Sequence, residues 1–253
     1  MKLKKLTAFL DNTLKLGDFR EDVSNNGLQI EGTEEVKKIL FAVDGCQEVF
    51  DLAVENDADM IFVHHGLSWG SGMRYFTGIN ADRFRTLFAN GISLYAAHLP
   101  LDAHPVYGNN AVLCDMLDLQ KRTPFFEYDG VKIGFSGKLP EAVPLKELSA
   151  ILGENLEVDP LLRGDAGAKI RSVAVVSGGA GVEALFAAKA AGAELLVTGE
   201  MEHIMHHVAK ELGVSIIALG HYASETTGVL AMQKLIETEC GVQTVFAEVP
   251  TGL

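Results

Sequence analysis

The chain has 253 residues and a formal net charge of −13, with 48% hydrophobic and 22% charged residues. These proportions are typical of a globular protein with a substantial core. The negative charge opposes a phosphate backbone, so we do not expect a nucleic-acid partner. The three cysteines are widely spaced and form no Cys-x-x-Cys pair, which argues against a disulfide framework and a thiolate zinc site. This pattern favours a reducing, cytoplasmic location.

The first sixteen residues begin as an export signal does, with lysines followed by apolar residues. Asp11 and Lys15 interrupt that run, however, and its apolar positions recur at helical spacing. The segment therefore predicts an amphipathic helix and not a signal peptide. No apolar run is long enough to span a membrane, so we expect no membrane partner.

Two segments, residues 39–66 and 172–200, share one pattern. Each has a short apolar strand, a small turn, an amphipathic helix and an Ala-acidic pair that leads into a second apolar strand. Such βαβ units predict an α/β fold whose helices pack on mostly parallel or mixed sheets. Internal duplication is the simplest explanation, although βαβ units also resemble one another by chance.

The middle of the chain has a different pattern. In residues 125–137, two apolar runs flank Asp129-Gly130, which predicts a β-hairpin. Residues 144–156 predict a helix, and residues 162–169 a loop. We place one α/β domain at residues 1–103 with 217–253, containing the candidate site described next, and a second α/β domain with the hairpin at residues 104–216.

Four histidines and two carboxylates follow the predicted strands of the repeated pattern. The histidines come after strands at residues 60–63, 93–97 and 215–219, and two of them are followed four positions later by a carboxylate. The six residues are His64, His65, His98, Asp102, His221 and Glu225. Because the carboxyl ends of parallel strands lie on one edge of a sheet, we expect these side chains to converge.

Imidazoles and carboxylates without thiolates are ligands for borderline divalent ions such as Zn, Mn, Fe, Co or Ni. Six potential ligands exceed the usual three of a one-metal catalytic site, so the set predicts two ions bridged by a carboxylate. We expect the adjacent His64 and His65 to point apart, one imidazole for each ion. Hydrogen-bonded histidines at strand ends are the alternative, which fits one such residue better than six residues together.

Weaker motifs accompany this set. The glycine-rich loop at residues 177–181 lacks the Rossmann and P-loop spacings, so we interpret it as a tight turn. Residues 198–207 resemble a shortened zincin motif without H-E-x-x-H, and we interpret them as a solvated helix or as one that supports the metal ligands. Trp69 and Tyr222 adjoin predicted ligands, where they either wall a pocket or pack in the core.

Several stretches together resemble one family, the Nif-three-like proteins, which are also called GTP cyclohydrolase type-2-like. The resemblance covers nearly the whole chain. It is carried by NNGLQIEG at residues 25–32, DMIFVHHGLSW at 59–69, HLPLD at 98–102, GNN at 108–110, TGEMEH at 198–203 and GHYASE at 220–225. The chain departs from longer members in lacking a large inserted central domain. Val23-Ser24 also stand where many members carry Trp-Asp.

The resemblance implies a subunit of two intertwined, structurally similar α/β domains, assembled as a toroidal homohexamer. It also implies a dinuclear centre with two divalent metal ions per subunit. The matching ligands here are His64, His65, Asp102 and His221, with Glu225 as the bridging ligand and His98 as a more distant or weaker one.

The family name suggests a metal-dependent hydrolase, GTP cyclohydrolase-like, that acts on a nucleotide or related small molecule. Glu225 or Asp102 would orient the attacking water, and an unligated His98 would serve as acid or base. A non-enzymatic metal-binding scaffold or regulator, whose ring contacts other proteins, is the alternative. Single-stranded nucleic acid in the ring is a third interpretation, which the net charge of −13 opposes.

Overall fold

The computed structural model describes residues 1–253 and divides them into two units. Unit 1 comprises Met1–Leu101 and Val229–Val249, and unit 2 comprises Asp102–Gly228 and Pro250–Leu253. The chain thus passes from unit 1 to unit 2 after Leu101 and back to unit 1 after Gly228, and the domains at residues 1–103 with 217–253 and at 104–216 stay a prediction. Hydrogen bonds connect the end of the Asp102–Gly228 segment to the helix that begins at Asn109, because Thr227 Oγ1 donates to Asn109 O at 3.1 Å and Gly228 N–H donates to Asn109 Oδ1 at 2.7 Å.

Helices and strands alternate along most of the chain. The first half contains α1 (Leu3–Leu14), a short 3-10 helix (Leu16–Asp18), β1 (Gly27–Ile30), β2 (Lys38–Asp44), α2 (Gln47–Glu55), β3 (Met60–His65), α3 (Ile79–Ala89), β4 (Ser93–Ala96), α4 (Leu99–Ala103) and α5 (Asn109–Met116). The second half contains β5 (Gln120–Tyr128), β6 (Val131–Pro144), α6 (Leu145–Leu156), β7 (Leu161–Arg163), β8 (Lys169–Val176), α7 (Gly181–Ala190), β9 (Leu195–Thr198), α8 (Met205–Leu212), β10 (Ser215–Ala218), α9 (His221–Cys240) and β11 (Gln243–Phe246). None of these helices combines the length and apolar character that crossing a membrane requires.

The sheet of unit 1 has five strands in the order β1-β4-β3-β2-β11. Strands β2, β3, β4 and β11 run parallel, and β1 pairs antiparallel with β4 at one edge. The predicted N-terminal helix is α1, which buries four leucines spaced three or four residues apart, as an amphipathic helix does. A cluster of buried residues from β2, β3, β4 and α2, including Phe50, Ile61 and Leu94, forms the core.

The sheet of unit 2 has six strands in the order β5-β6-β8-β9-β10-β7. Its central strands β8, β9 and β10 run parallel and are connected by α7 and α8. This repeats the order of β2, α2, β3, α3 and β4 in unit 1, as the two βαβ patterns predicted. Antiparallel strands flank the parallel ones on both sides, so both sheets are mixed and the predicted α/β fold class is confirmed.

Local predictions for the middle of the chain have different outcomes. Strands β5 and β6 form the predicted hairpin, with Asp129 and Gly130 at φ of 47° and 77° in the turn between them. Helix α6 lies where the periodicity predicted it. The predicted loop at residues 162–169 is wrong at its start, because β7 pairs antiparallel with β10. A strand of three residues is too short to show a recognisable alternation of apolar and polar positions.

Candidate metal centre

Three of the predicted histidines lie at the carboxyl ends of β3 and β4, two neighbouring parallel strands of unit 1. His64 and His65 are the last residues of β3, and His98 follows β4 after one intervening alanine. One ring nitrogen from each lies within 4.8 Å of those of the other two. The ring centroids are 4.5 Å apart for His64 and His65, and 5.2 Å apart for His64 and His98. Unit 1 therefore forms a compact cluster of three imidazoles.

The adjacent His64 and His65 do not point apart as we expected. Strand β3 continues through His65, which pairs with Asp44 of β2, whereas its pairing with β4 ends at Val63 and Ala96. Both histidines lie beyond this last pair, so they are paired with a strand on the β2 side only. Their separation is therefore smaller than the regular alternation of a strand suggests.

Each imidazole of this cluster is held through its Nδ1 atom by an oxygen that can only accept a hydrogen bond. The acceptors are Ala97 O for His64 at 2.8 Å, Asp44 Oδ1 for His65 at 2.8 Å, and Asp22 Oδ1 for His98 at 2.9 Å. A backbone carbonyl or an ionised carboxylate places the proton of a neutral imidazole on Nδ1. The lone pair then remains on Nε2, which is how metal-binding histidines are usually oriented.

Asp22, which the sequence analysis did not identify, is the most constrained of these acceptors. Its side chain is fully buried, and its Oδ2 accepts hydrogen bonds from Asn26 Nδ2 at 2.7 Å and from the Leu99 N–H at 3.1 Å. Burial alone would raise the pKa of Asp22, but the hydrogen bond and charge of His98, with the other donors, hold that pKa below its usual range. Asp22 therefore remains an anion. The nearby NNGLQ motif was the available sequence signal, because its Asn26 Oδ1 also accepts the His98 N–H at 2.7 Å.

Unit 2 supplies two buried carboxylates. Asp102 lies in α4 and Glu225 in the first turns of α9, and they are 6% and 3% exposed. An oxygen of one lies within 4.8 Å of an oxygen of the other. Asp102 Oδ1 is fixed by Asn109 Nδ2 at 2.9 Å and by Ser177 Oγ at 3.0 Å. Two carboxylates this close would repel each other if both were ionised, and a cation beside them would remove that repulsion.

The glycine-rich turn before α7 makes room for these groups. A Cβ atom on Gly178 would lie 2.3 Å from Glu225 Oε1 and 3.4 Å from His221 Nε2, and its φ of +64° also favours glycine. The Gly178 N–H donates to Ser224 Oγ at 3.0 Å. The predicted tight turn is thus present, and its backbone lies directly against the acidic side chains.

His221, the first residue of α9, lies between two carboxylates of unit 2. Its Nδ1 is 2.6 Å from Glu200 Oε1, and its Nε2 is 3.2 Å from Glu225 Oε1. The hydrogen bond with Glu225 is the main reason that the pKa of His221 rises to about 9, although burial opposes the rise. In the metal-free protein this ring is therefore protonated near neutral pH, and a metal ion that binds Nε2 must displace the proton.

The segment at residues 198–207 contains one residue that supports a predicted ligand and three histidines that are exposed to solvent. Glu200 orients His221 and so supports a predicted ligand. Three further histidines, His203, His206 and His207, are exposed and belong to none of the groups that could hold a metal ion. Unit 1 thus offers three oriented imidazoles, and unit 2 offers one imidazole and two buried carboxylates, which are donor types that borderline divalent ions accept.

The chain is similar to known proteins over its whole length. The model of the family described as Duf34/NIF3 (NGG1p interacting factor 3) matches residues 1–251. The chain belongs to this family. Relatives named GTP cyclohydrolase 1 type 2 homolog are 47% identical over 253 residues in Archaeoglobus fulgidus and 45% identical over 256 residues in Pyrococcus abyssi, covering 100% of both chains. A solved structure from Thermus thermophilus is 40% identical, with a TM-score of 0.89 and 100% of each chain covered. The resemblance to the Nif-three-like proteins is therefore confirmed.

Orientation through Nδ1 gives a first prediction for this Duf34/NIF3 protein. We expect Asp44→Asn and Asp22→Asn each to lower the affinity for Zn²⁺ or Co²⁺ by about 10- to 100-fold, because a neutral amide is a weaker acceptor than a carboxylate and its NH2 group can donate to the imidazole instead. Competition with a coloured chelator measures this affinity. Asp82→Asn is the matched control, since Asp82 is exposed and pairs only with Arg85. Unchanged affinity in both variants, with unchanged circular dichroism, would contradict the role of these carboxylates.

The raised pKa of His221 predicts how the stability of the metal-free protein depends on pH. The protonated ring stabilises the folded state, so this contribution is complete below the ordinary pKa of 6.5 and is lost as pH rises through about 9. Urea unfolding in the presence of a chelator, from pH 6 to 9.5, should therefore show a decline that His221→Gln removes. His206→Gln, which changes an exposed histidine, serves as the control. An identical pH dependence in His221→Gln and the unmodified protein would refute the assignment.

Proposed function

We propose that this protein binds two divalent metal ions and acts as a hydrolase of a nucleotide or related small molecule. The proposed ligands are His64, His65, His98, Asp102, His221 and Glu225. The main support is that all four imidazoles have Nδ1 beside a carbonyl or carboxylate oxygen, which is the usual environment of a metal ligand. The buried pair of carboxylates supports a cationic occupant in the same way.

The proposed substrate class comes from the relatives, which are named GTP cyclohydrolase 1 type 2 homolog. When bound, divalent ions lower the pKa of a coordinated water and polarise a phosphoryl or carbonyl oxygen, which suits hydrolysis at neutral pH. The metal identity stays open among Zn, Fe, Mn, Co and Ni, because mixed imidazole and carboxylate ligands suit several of them.

The chain's own residues would move the protons. Glu225, which is 3% exposed and contacts His221, is the proposed proton acceptor that orients the attacking water. When its Nε2 is not bound to a metal ion, His98 would serve as acid or base through that nitrogen, since Asp22 holds its Nδ1. Asp102 would be a stationary ligand, because Asn109 and Ser177 fix its Oδ1.

Loss of the ligands tests this proposal. We expect His64→Ala and Glu225→Ala to lower the bound metal, and Glu225→Gln to lower the rate by about 100-fold or more, because a positioned base contributes at least that much. Elemental analysis measures the metal, and release of phosphate or formate from GTP and phosphoesters measures turnover. His203→Ala, an exposed histidine outside the cluster, is the control.

A protein that holds both metals but turns over none of these compounds would contradict the hydrolase proposal. That result would favour the alternative, a non-enzymatic metal-binding scaffold or regulator. An apolar surface of unit 1 supports this alternative, because it exposes Tyr75, Phe76, Ile79 and Phe88 by 58% to 76%. Exposed apolar patches of this kind commonly contact other proteins.

We also propose that the protein assembles as a toroidal homohexamer, as its resemblance to the Nif-three-like family implies, and that it is cytoplasmic, which its three free cysteines support. Light scattering after size-exclusion chromatography should give six times the subunit mass. The expected mass should persist after dilution, since an obligate ring does not dissociate readily. A monomer or dimer throughout the dilution series would contradict the hexamer.

A further inference from the structure

The only tryptophan of the chain, Trp69, lies beside the imidazole cluster of unit 1. Its ring centroid is 5.1 Å from that of His98, which it meets edge to face, and 6.1 Å from that of His65. Although tryptophan is usually buried, Trp69 is 36% exposed. Part of this residue is thus open to solvent next to the proposed ligands.

Hydrogen bonds hold the loop that carries this ring in one conformation. Trp69 Nε1 donates to Gly66 O at 2.8 Å, which fixes the direction of the indole. Gln29 Oε1 accepts the N–H groups of Leu67 and Ser68 at 2.7 and 3.0 Å. The Gly70 N–H donates to Val23 O at 2.6 Å. These bonds connect both sides of Trp69 to the segment around the NNGLQ motif.

Close packing around Gly66, at the start of this loop, limits the movement of the loop as well. A Cβ atom on Gly66 would lie 2.5 Å from Gln29 Oε1 and 2.6 Å from Ala96 Cβ, so the backbone is already in tight contact with its neighbours. The Asn25 side chain adds a hydrogen bond to Ser68 Oγ at 2.7 Å. The indole is therefore a rigid surface. A ligand that contacts it would bind with only a small loss of conformational entropy in the Trp69 side chain.

We propose that Trp69 binds the substrate by stacking its exposed indole face on a planar heteroaromatic ring, such as a nucleobase. This inference rests on the proposed function, because it assigns a substrate feature to the same site. The indole N–H already donates to Gly66 O, so the exposed face offers no hydrogen bond to a sugar or phosphate. It offers a π surface, on which any flat ring can stack, whichever nucleobase it is.

A purely structural role for Trp69 would have a different consequence. If the indole only shields His98 and His65, its replacement would change the metal affinity. It would then change the affinity for guanosine and for ribose 5-phosphate by the same factor. If it stacks on the substrate, its replacement would change the affinity for ligands with a flat ring and leave the metal in place. Guanosine and ribose 5-phosphate separate these outcomes, because only guanosine contains such a ring.

The emission of the single tryptophan provides a direct test. In the zinc-loaded full-length protein, we expect guanosine to quench the Trp69 emission saturably, while ribose 5-phosphate does not. Calorimetry should show an affinity for guanosine about tenfold lower in Trp69→Leu and within about threefold of the original in Trp69→Phe, because phenylalanine keeps a stacking face. Phe88→Leu, which changes an exposed aromatic residue of α3, is the control and should bind guanosine as the unmodified protein does.

Each contrary result has a defined meaning. Equal guanosine affinity in Trp69→Leu and the unmodified protein, or no saturable binding of guanosine by the unmodified protein, overturns the stacking role. If Trp69→Leu loses both its zinc and its ability to bind guanosine, the stacking role is also overturned, and a shielding role is favoured. The proposed function fails separately, if elemental analysis finds no metal in the unmodified protein, whereas Trp69-dependent guanosine binding can be measured with or without chelator.

Discussion

The arrangement of this protein's candidate centre depends on one requirement, that each imidazole keep the lone pair of Nε2 while its Nδ1 is occupied. The three histidines of unit 1 meet it through one backbone carbonyl and two carboxylates, whereas Glu200 holds Nδ1 of His221 and a metal ion would have to displace the proton on its Nε2. Acceptors without a hydrogen-bond donor of their own fix both the tautomer and the ring orientation. Asp22, Asp44 and Glu200 thus determine what the predicted ligands can bind, although they are not themselves proposed ligands.

The fold meets this requirement with the carboxyl ends of parallel strands. In unit 1, β3 and β4 present three histidines at neighbouring ends, while β2 ends at Asp44 opposite His65. In unit 2, β8 leads into the turn at Gly178, whose missing side chain leaves space for Glu225. The strand ends place the donors, and small residues allow the backbone to approach them. Ligands of open α/β sheets gather at strand ends for the same geometric reason.

Periodic features of the sequence were predictable, and distant contacts were not. The two βαβ patterns, the hairpin at Asp129-Gly130 and the histidines at or just after strand ends follow from local spacing, and the structure contains each of them. The pairing of Asp22 with His98 joins residues 76 positions apart, and no local pattern encodes it. The unit boundary inside α9 likewise depends on Asn109 and Gly228, which are 119 positions apart. Helical periodicity continues through that boundary, so sequence spacing alone could not detect it.

Charge balance connects the proposed metals with the kind of substrate that an acidic protein can accept. A chain with a net charge of −13 repels anionic ligands at long range, and the carboxylates of Asp102 and Glu225 add to that repulsion locally. Two divalent ions would bring four positive charges to the two ligand carboxylates, which would offset their repulsion of an anionic ligand. The metals would then attract the anionic part of a nucleotide, while the uncharged face of Trp69 contributes no repulsion to its ring. Ions and indole would thus recognise different parts of one molecule, and an acidic surface would not prevent its binding.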